Sequence, residues 1–219
     1  MRLWRSVRRF GSDTRGASAV EFALIVPVMI LFLLGIIDVG RFIWNTNEVE
    51  KAVQIGTRWA VATDIIPGDD AANGLKNYSY AISGGIPQGQ TVPKTPSGAG
   101  GQSFPGVTCT STAAGAVTCT CKASCPFSTT TTGTSFTNIV GRMNQIYGGI
   151  GNQNVQIDYD WSGLGYSGDP NGSDVDPLVT VTVKNVAFRP IFLAGIFNFG
   201  LPDLSYTLTM EDGEGVYSN

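Results

Sequence analysis

From Ala17 to Ile37 the chain reads ASAVEFALIVPVMILFLLGII, 21 residues that carry a single charge, Glu21. A helix rising about 1.5 Å per residue crosses a hydrocarbon core of roughly 30 Å over such a length. The run therefore predicts a membrane-crossing helix. It is too long for the apolar core of a secretory signal, and it ends in Asp38 and Arg41 rather than in a small-residue cleavage site, so the helix is expected to be retained. Pro27 fits the same reading, because membrane helices tolerate proline where local adjustments satisfy the freed carbonyl. Glu21 does not fit it unaided. A carboxylate in such a segment costs up to about 3 kcal/mol near the helix centre and less toward an end, which asks for a counter-charge or a role.

Charge on either side of the run sets its direction. Arg2, Arg5, Arg8, Arg9 and Arg15 precede it with only Asp13 opposing them, whereas Arg41 is followed by no further base before Lys51. The positive-inside bias places the N-terminus in the cytoplasm. Beyond Trp44 there are 14 acidic residues against eight basic ones, an acidic exported portion that argues against a nucleic-acid partner.

A counter-charge for Glu21 arises if the chain is cut after Gly16. Ala17 then becomes a cationic N-terminus, and Glu21, the fifth residue of the product, lies one helical turn away. This pattern resembles type IV pilin-like precursors, whose short basic leader ends in Gly ahead of four residues and a Glu. More specifically, Arg15-Gly16-Ala17-Ser18-Ala19-Val20-Glu21-Phe22-Ala23-Leu24-Ile25-Val26-Pro27 and Gly35-Ile36-Ile37-Asp38-Val39-Gly40-Arg41 resemble the TadE-like pseudopilins of tight-adherence (Flp/Tad) pilus systems. The family often carries Glu and an aromatic residue where this chain has Asp38 and Val39. The resemblance covers about 50 residues and reaches the remainder only loosely.

The resemblance implies a minor pseudopilin in pilus biogenesis and surface attachment. A prepilin peptidase would cut between Gly16 and Ala17, and Glu21 would pair with an N-terminal amine during assembly. The implied partners are that peptidase, the pilus assembly machinery with other pilins or pseudopilins, and membrane lipid. The implied location is a bacterial inner membrane, single-pass, with the C-terminal part periplasmic or extracellular. The alternative is an unprocessed single-pass anchor presenting a binding or scaffold domain. A TadG-like relative shares the N-terminal motif, but such proteins usually carry a larger extra domain.

The expected organisation is a basic leader at 1–16, a transmembrane helix at 17–44, an amphipathic stalk at 45–66 and an exported head at 67–219. The stalk reading comes from Val49, Ala52, Val53, Gly56, Trp59 and Ala60 at helical spacing, ended by Ile65-Ile66-Pro67-Gly68. Residues 84–106, dense in Gly, Pro, Ser and Gln, predict an irregular surface loop. Phe136, Ile139, Val140, Met143, Ile146 and Tyr147 mark a second helix, with Ser135 as N-cap and Gly148-Gly149 as stop. Alternation at Val155, Ile157, Tyr159 and Trp161, at Val179, Val181 and Val183, and at Leu204, Tyr206, Leu208 and Met210 predicts three strands. The fold class is α+β, a long N-terminal helix followed by a head with a small antiparallel sheet and a second helix.

All four cysteines fall in the cysteine-rich loop at 107–126, at Cys109, Cys119, Cys121 and Cys125. Outside the cytoplasm such a cluster predicts two disulfides. The repeated Val-Thr-Cys-Thr suits a hairpin that pairs Cys109 with Cys119, leaving Cys121 for Cys125, while the other two connectivities stay open. A metal site is disfavoured, since no paired C-x-x-C element and no histidine exists. Asp169, Asn171 and Ser173 have the opening spacing of a calcium loop, but Asp174 stands where glycine is needed and Thr180 where glutamate is needed. A turn-rich loop is the simpler reading.

The segment from Phe188 to Phe199 is too short to span a bilayer yet is unusually apolar, and reads either as core or as a partner-facing or membrane-facing patch. Enzymatic chemistry is not expected, nor a cofactor or a small-molecule substrate. The chain has no histidine, the commonest general base, and no phosphate loop or dinucleotide fingerprint. Asp158 and Asp160, two apart on one strand face, read as a solvated face.

Overall fold

The computed structural model describes residues 16–67, 84–96, 102–131, 134–168, 174–193 and 199–210. The basic leader up to Arg15 and the candidate calcium ligands Asp169, Asn171 and Ser173 lie outside the described residues. Contacts divide the chain into two compact units, Met1–Ile43 with Arg189–Asn198, and Trp44–Phe188 with Phe199–Asn219.

One helix, α1, runs from Ala17 to Ala62. No secondary-structure break separates the apolar run from the stalk, and Pro27 sits within the helix. The helix passes the length and composition test for a membrane span, with a mean hydropathy of 2.8 over its most apolar window and none of that window buried. Past the apolar run, the residues at i, i+3, i+4, i+7, i+8 and i+11 from Val49, namely Val49, Ala52, Val53, Gly56, Thr57 and Ala60, are buried. The helix ends at Ala62, short of the expected Ile66. Ile65 and Ile66 leave it as buried side chains.

The second unit holds a five-stranded antiparallel sheet in the order β2-β1-β3-β4-β7. Its strands are β1 (Val107–Ser111), β2 (Val117–Cys121), β3 (Val155–Asp160), β4 (Leu178–Val183) and β7 (Leu204–Thr209). A separate two-residue ladder pairs β5 (Ala187–Phe188) with β6 (Phe199–Gly200). The register explains the alternation in the sequence. Cys119, Cys109, Ile157, Val181 and Tyr206 stand opposite one another across all five strands. A second row joins Thr120, Thr108, Asp158, Thr180 and Thr207, and because side chains alternate faces along a strand, this row lies on the other face. The first row is apolar and the second polar, so burial of one face selects the register.

Helix α2 (Thr134–Asn144) buries Phe136, Ile139, Val140 and Met143. It stops earlier than the apolar spacing predicts: Ile146 and Tyr147 follow in a turn whose amides both bond the Met143 carbonyl. At Gly56 α1 packs tightly on α2, since a Cβ built there would lie 2.6 Å from the Met143 Cγ and Sδ. On the sheet side, the Thr57 hydroxyl lies 2.8 Å from the Val53 carbonyl and 3.3 Å from that of Tyr206 in β7.

The segment 84–106 has no regular element among its described residues, in keeping with its composition, yet it is not merely a surface loop. Val92 and Phe104 are buried, Phe104 stacks on Phe127 at 5.9 Å between ring centres, and the Trp161 indole donates to the Val92 carbonyl at 2.9 Å. Gly106 has φ of +90°, where a Cβ would come to 3.0 Å from the Tyr159 carbonyl oxygen. A side chain there meets both a left-handed backbone and a β-strand.

Candidate functional site: the N-terminal helix and the ends of its apolar run

Gly16 immediately precedes α1 and is exposed, with no atom within 4 Å of the place a Cβ would occupy. Glu21 is exposed one turn into the helix, among outward-facing Val20, Phe22 and Leu24. No acidic residue occupies the first turn, so Glu21 is the first carboxylate that a charge at the head of α1 meets. An amine there would add to the positive end of the helix macrodipole, and both attract a nearby carboxylate.

The other end of the apolar run carries a feature that the sequence did not reveal. Asp38 is 3 % exposed and accepts three consecutive backbone N–H groups: Ile191 at 2.8 Å on Oδ1, with Phe192 and Leu193 at 2.9 Å on Oδ2. Arg41, one turn on, places Nη1 3.7 Å from Asp38 Oδ1 and 3.5 Å from the Arg189 carbonyl. Both partners of this arrangement belong to the first compact unit. In the sequence Asp38 is only a departure from a familiar motif. The available hints are an acid at the end of an apolar run, Arg41 three residues later, and a distant apolar segment that begins at a proline. Nothing in that pattern pairs residues separated by 153 positions.

The cysteines form two disulfides, Cys109 with Cys119 and Cys121 with Cys125, and no cysteine is free. The first links directly opposed residues of β1 and β2, whose Cα atoms are 4.1 Å apart, the closer kind of antiparallel pair. Next to them, Asp158 and Asp160 depart from the reading of a solvated face, because Asp158 is buried. It accepts the Thr108 hydroxyl and the Gln156 amide, each at 2.6 Å, and Lys122 Nζ stands 3.3 Å away. Lys122 bonds both oxygens of Asp160, at 2.7 and 2.8 Å. Burial raises the Asp158 pKa, but the donors from Thr108, Gln156 and Lys122 outweigh it and hold the carboxyl below its ordinary value. Burial lowers the Lys122 pKa, and the two aspartates more than reverse that, leaving it raised. The cluster ties the 121–125 loop to β3 and contains no unpaired base.

Trp59 packs in its own unit beneath Arg142, whose guanidinium carbon lies 4.3 Å from the indole ring centre. Thr137, Asn138, Gly141 and Gln145 complete a shallow groove there, and the cation–π contact accounts for it as packing. Among the described residues, no group of three or more His, Cys, Asp or Glu is placed to hold a metal ion.

No curated protein and no solved structure matches the chain. One family model does, over the segment that carries Gly16, Glu21, Asp38 and Arg41 and most of the buried face of the stalk. Residues 16–58 match the family described as TadE-like protein, so this N-terminal segment is what the chain shares with the TadE-like proteins.

Proposed function

We propose that the protein is a minor pseudopilin of a Flp/Tad-type pilus system. The TadE-like match over residues 16–58 supports a role in Tad pilus-related processes and contact with the assembly machinery. One long N-terminal apolar helix fits a single-pass membrane anchor. The finer reading is that a prepilin peptidase cuts after Gly16, that the protein sits in the inner membrane with its N-terminus inside, and that it serves pilus assembly and surface attachment in a structural rather than catalytic capacity.

The observation that carries this reading is the family match that begins at Gly16, together with an exposed Gly16 directly ahead of a helix that starts at Ala17. In the cut chain the Ala17 amine and the Glu21 carboxylate compensate each other in the membrane, within one subunit or between a subunit and its neighbour. An unpaired Glu21 would be a standing cost in hydrocarbon, which is a physical reason for the two to act together.

Intact-mass measurement on protein extracted from its native membrane tests the processing step. The expected mass corresponds to loss of residues 1–16. A species retaining Met1 would instead favour an unprocessed anchor that presents a binding or scaffold domain. Glu21→Gln is expected to leave insertion intact, since it removes a charge from the apolar run, while reducing pilus assembly or surface attachment. Assembly at the unaltered level would show that the carboxylate has no part in subunit docking.

A further inference from the structure

Backbone outside a helix or a closed sheet is excluded from lipid because its N–H groups find no acceptor there. Between Pro190 and Leu193 every one of these donors is accounted for. Pro190 has no N–H, and Ile191, Phe192 and Leu193 all donate to the Asp38 carboxylate. Arg41 stands beside that carboxylate and donates to the Arg189 carbonyl. The charge of Asp38 is thus distributed over three amides and a guanidinium, and the segment it holds shows no free backbone donor.

What the segment presents outward is apolar. Ile191 is 60 % and Phe192 46 % exposed, and the sequence continues through Ala194, Gly195, Ile196 and Phe197 without a charge. Its depth is given by Leu193, whose Cδ1 lies 3.8 Å from where a Cβ on Gly35 would be. Gly35 belongs to the apolar run and lies three residues, about 4.5 Å of helix rise, on the membrane side of Asp38. Ile36 and Ile37, in the same last turn of the run, are exposed as well. Apolar surface on the segment and on the helix therefore continues at one level, next to a helix that is already long and apolar enough to cross a bilayer.

We infer that residues 189–193 form a second membrane contact, an interfacial finger inserted among the outermost acyl segments of the leaflet where α1 emerges, with Asp38 as its dock. The occupant of the Ile191 and Phe192 surface is lipid. Arg189 stands at the start of the finger, where a long basic side chain can keep its head in the interface while its stem covers apolar surface. The inference rests on the single-pass anchor reading of α1 and adds a second, sequence-distant element to it.

The full chain reconstituted in lipid vesicles tests this. Because the four native cysteines are paired, a thiol-reactive, polarity-sensitive fluorophore placed by Phe192→Cys reports on that position alone, with Leu31→Cys as the mid-helix reference and Leu164→Cys as the exported-head reference. The Phe192 label is expected to emit to the blue of the Leu164 label. It should be quenched several-fold more by shallow than by deep spin-labelled lipid, and be largely protected from aqueous iodide. Combining Phe192→Cys with Asp38→Leu should return the emission toward that of the head reference, but the first comparison stands without that variant. Iodide quenching equal to that of the Leu164 label, with the Leu31 label in lipid, overturns the finger and leaves the anchor. Protection from iodide without quenching by lipid means that protein covers the site, which also overturns it. A Leu31 label that no lipid quencher reaches overturns finger and anchor together.

Discussion

Replacing Cys109 and Cys119 by alanine should destabilise the head distinctly more than replacing Cys121 and Cys125, although either change removes one disulfide. The first bridge closes a sequence separation of 10, for which loop-closure entropy gives about 2.7 kcal/mol at 25 °C. The second closes a separation of 4 and gives about 1.9 kcal/mol on the same basis. Burial widens the gap. Cys109 and Cys119 are both buried and belong to the apolar row that crosses the whole sheet, whereas Cys125 is exposed. Counting each buried sulfur as a methylene adds roughly 0.8 kcal/mol apiece, bringing the first pair to about 4 kcal/mol against about 2 for the second. A domain stable by about 5 to 15 kcal/mol would feel the first as a major fraction of its stability. Urea unfolding of the full chain in detergent, followed by intrinsic tryptophan fluorescence, provides the comparison. Equal losses, or a larger loss from Cys121 and Cys125, would refute the argument that loop length and the buried row set the hierarchy.

Gly56→Ala tests the contact between α1 and α2. In an open helix the change gains up to about 1 kcal/mol, but here the new Cβ would meet the fully buried Met143, so the variant should lose stability, and in a Met143→Ala background the same change should become neutral or stabilising. A double-mutant cycle by urea unfolding reads the reversal directly. The Asp158 and Lys122 cluster predicts two pH limits. Asp158 titrates below its unfolded value, so its contribution is complete above about pH 4 and is lost as the pH falls through its depressed folded value. Lys122 titrates above its ordinary value, so its contribution is complete below that value and is lost as the pH rises through the raised one. Asp158→Asn should flatten the acid limb of a stability–pH curve, and an unchanged acid limb would show that other carboxylates govern it. Because Asp158 is partly screened by solvent, the effect should be of order 1 kcal/mol.

How much of this was legible beforehand depends on sequence distance. The strands at Val155, Val179 and Leu204 could be read because a half-buried sheet writes a period of two, and the hairpin at Cys109 and Cys119 because its arms repeat Val-Thr-Cys-Thr around a short turn. Helix α2 was legible from Phe136 to Met143, while its end was not, since Ile146 and Tyr147 keep the apolar spacing after the backbone has turned. Asp158 was misread because alternation predicts the polar face of β3 but not that Lys122, 36 positions away in the sequence, would fold over it.

The sequence by itself determined the long apolar helix, the position of Gly16 and Glu21 at its start, and the α+β class, because length, charge asymmetry and hydrophobic period are local properties that survive without knowledge of the fold. Only the tertiary structure decided the strand order β2-β1-β3-β4-β7, the burial of Asp158, and the capture of residues 191–193 by Asp38. These depend on which distant backbone groups come within hydrogen-bond reach. A carboxylate has the same composition whether it is solvated or encircled by three amides, and the difference lies entirely in what the chain brings to it.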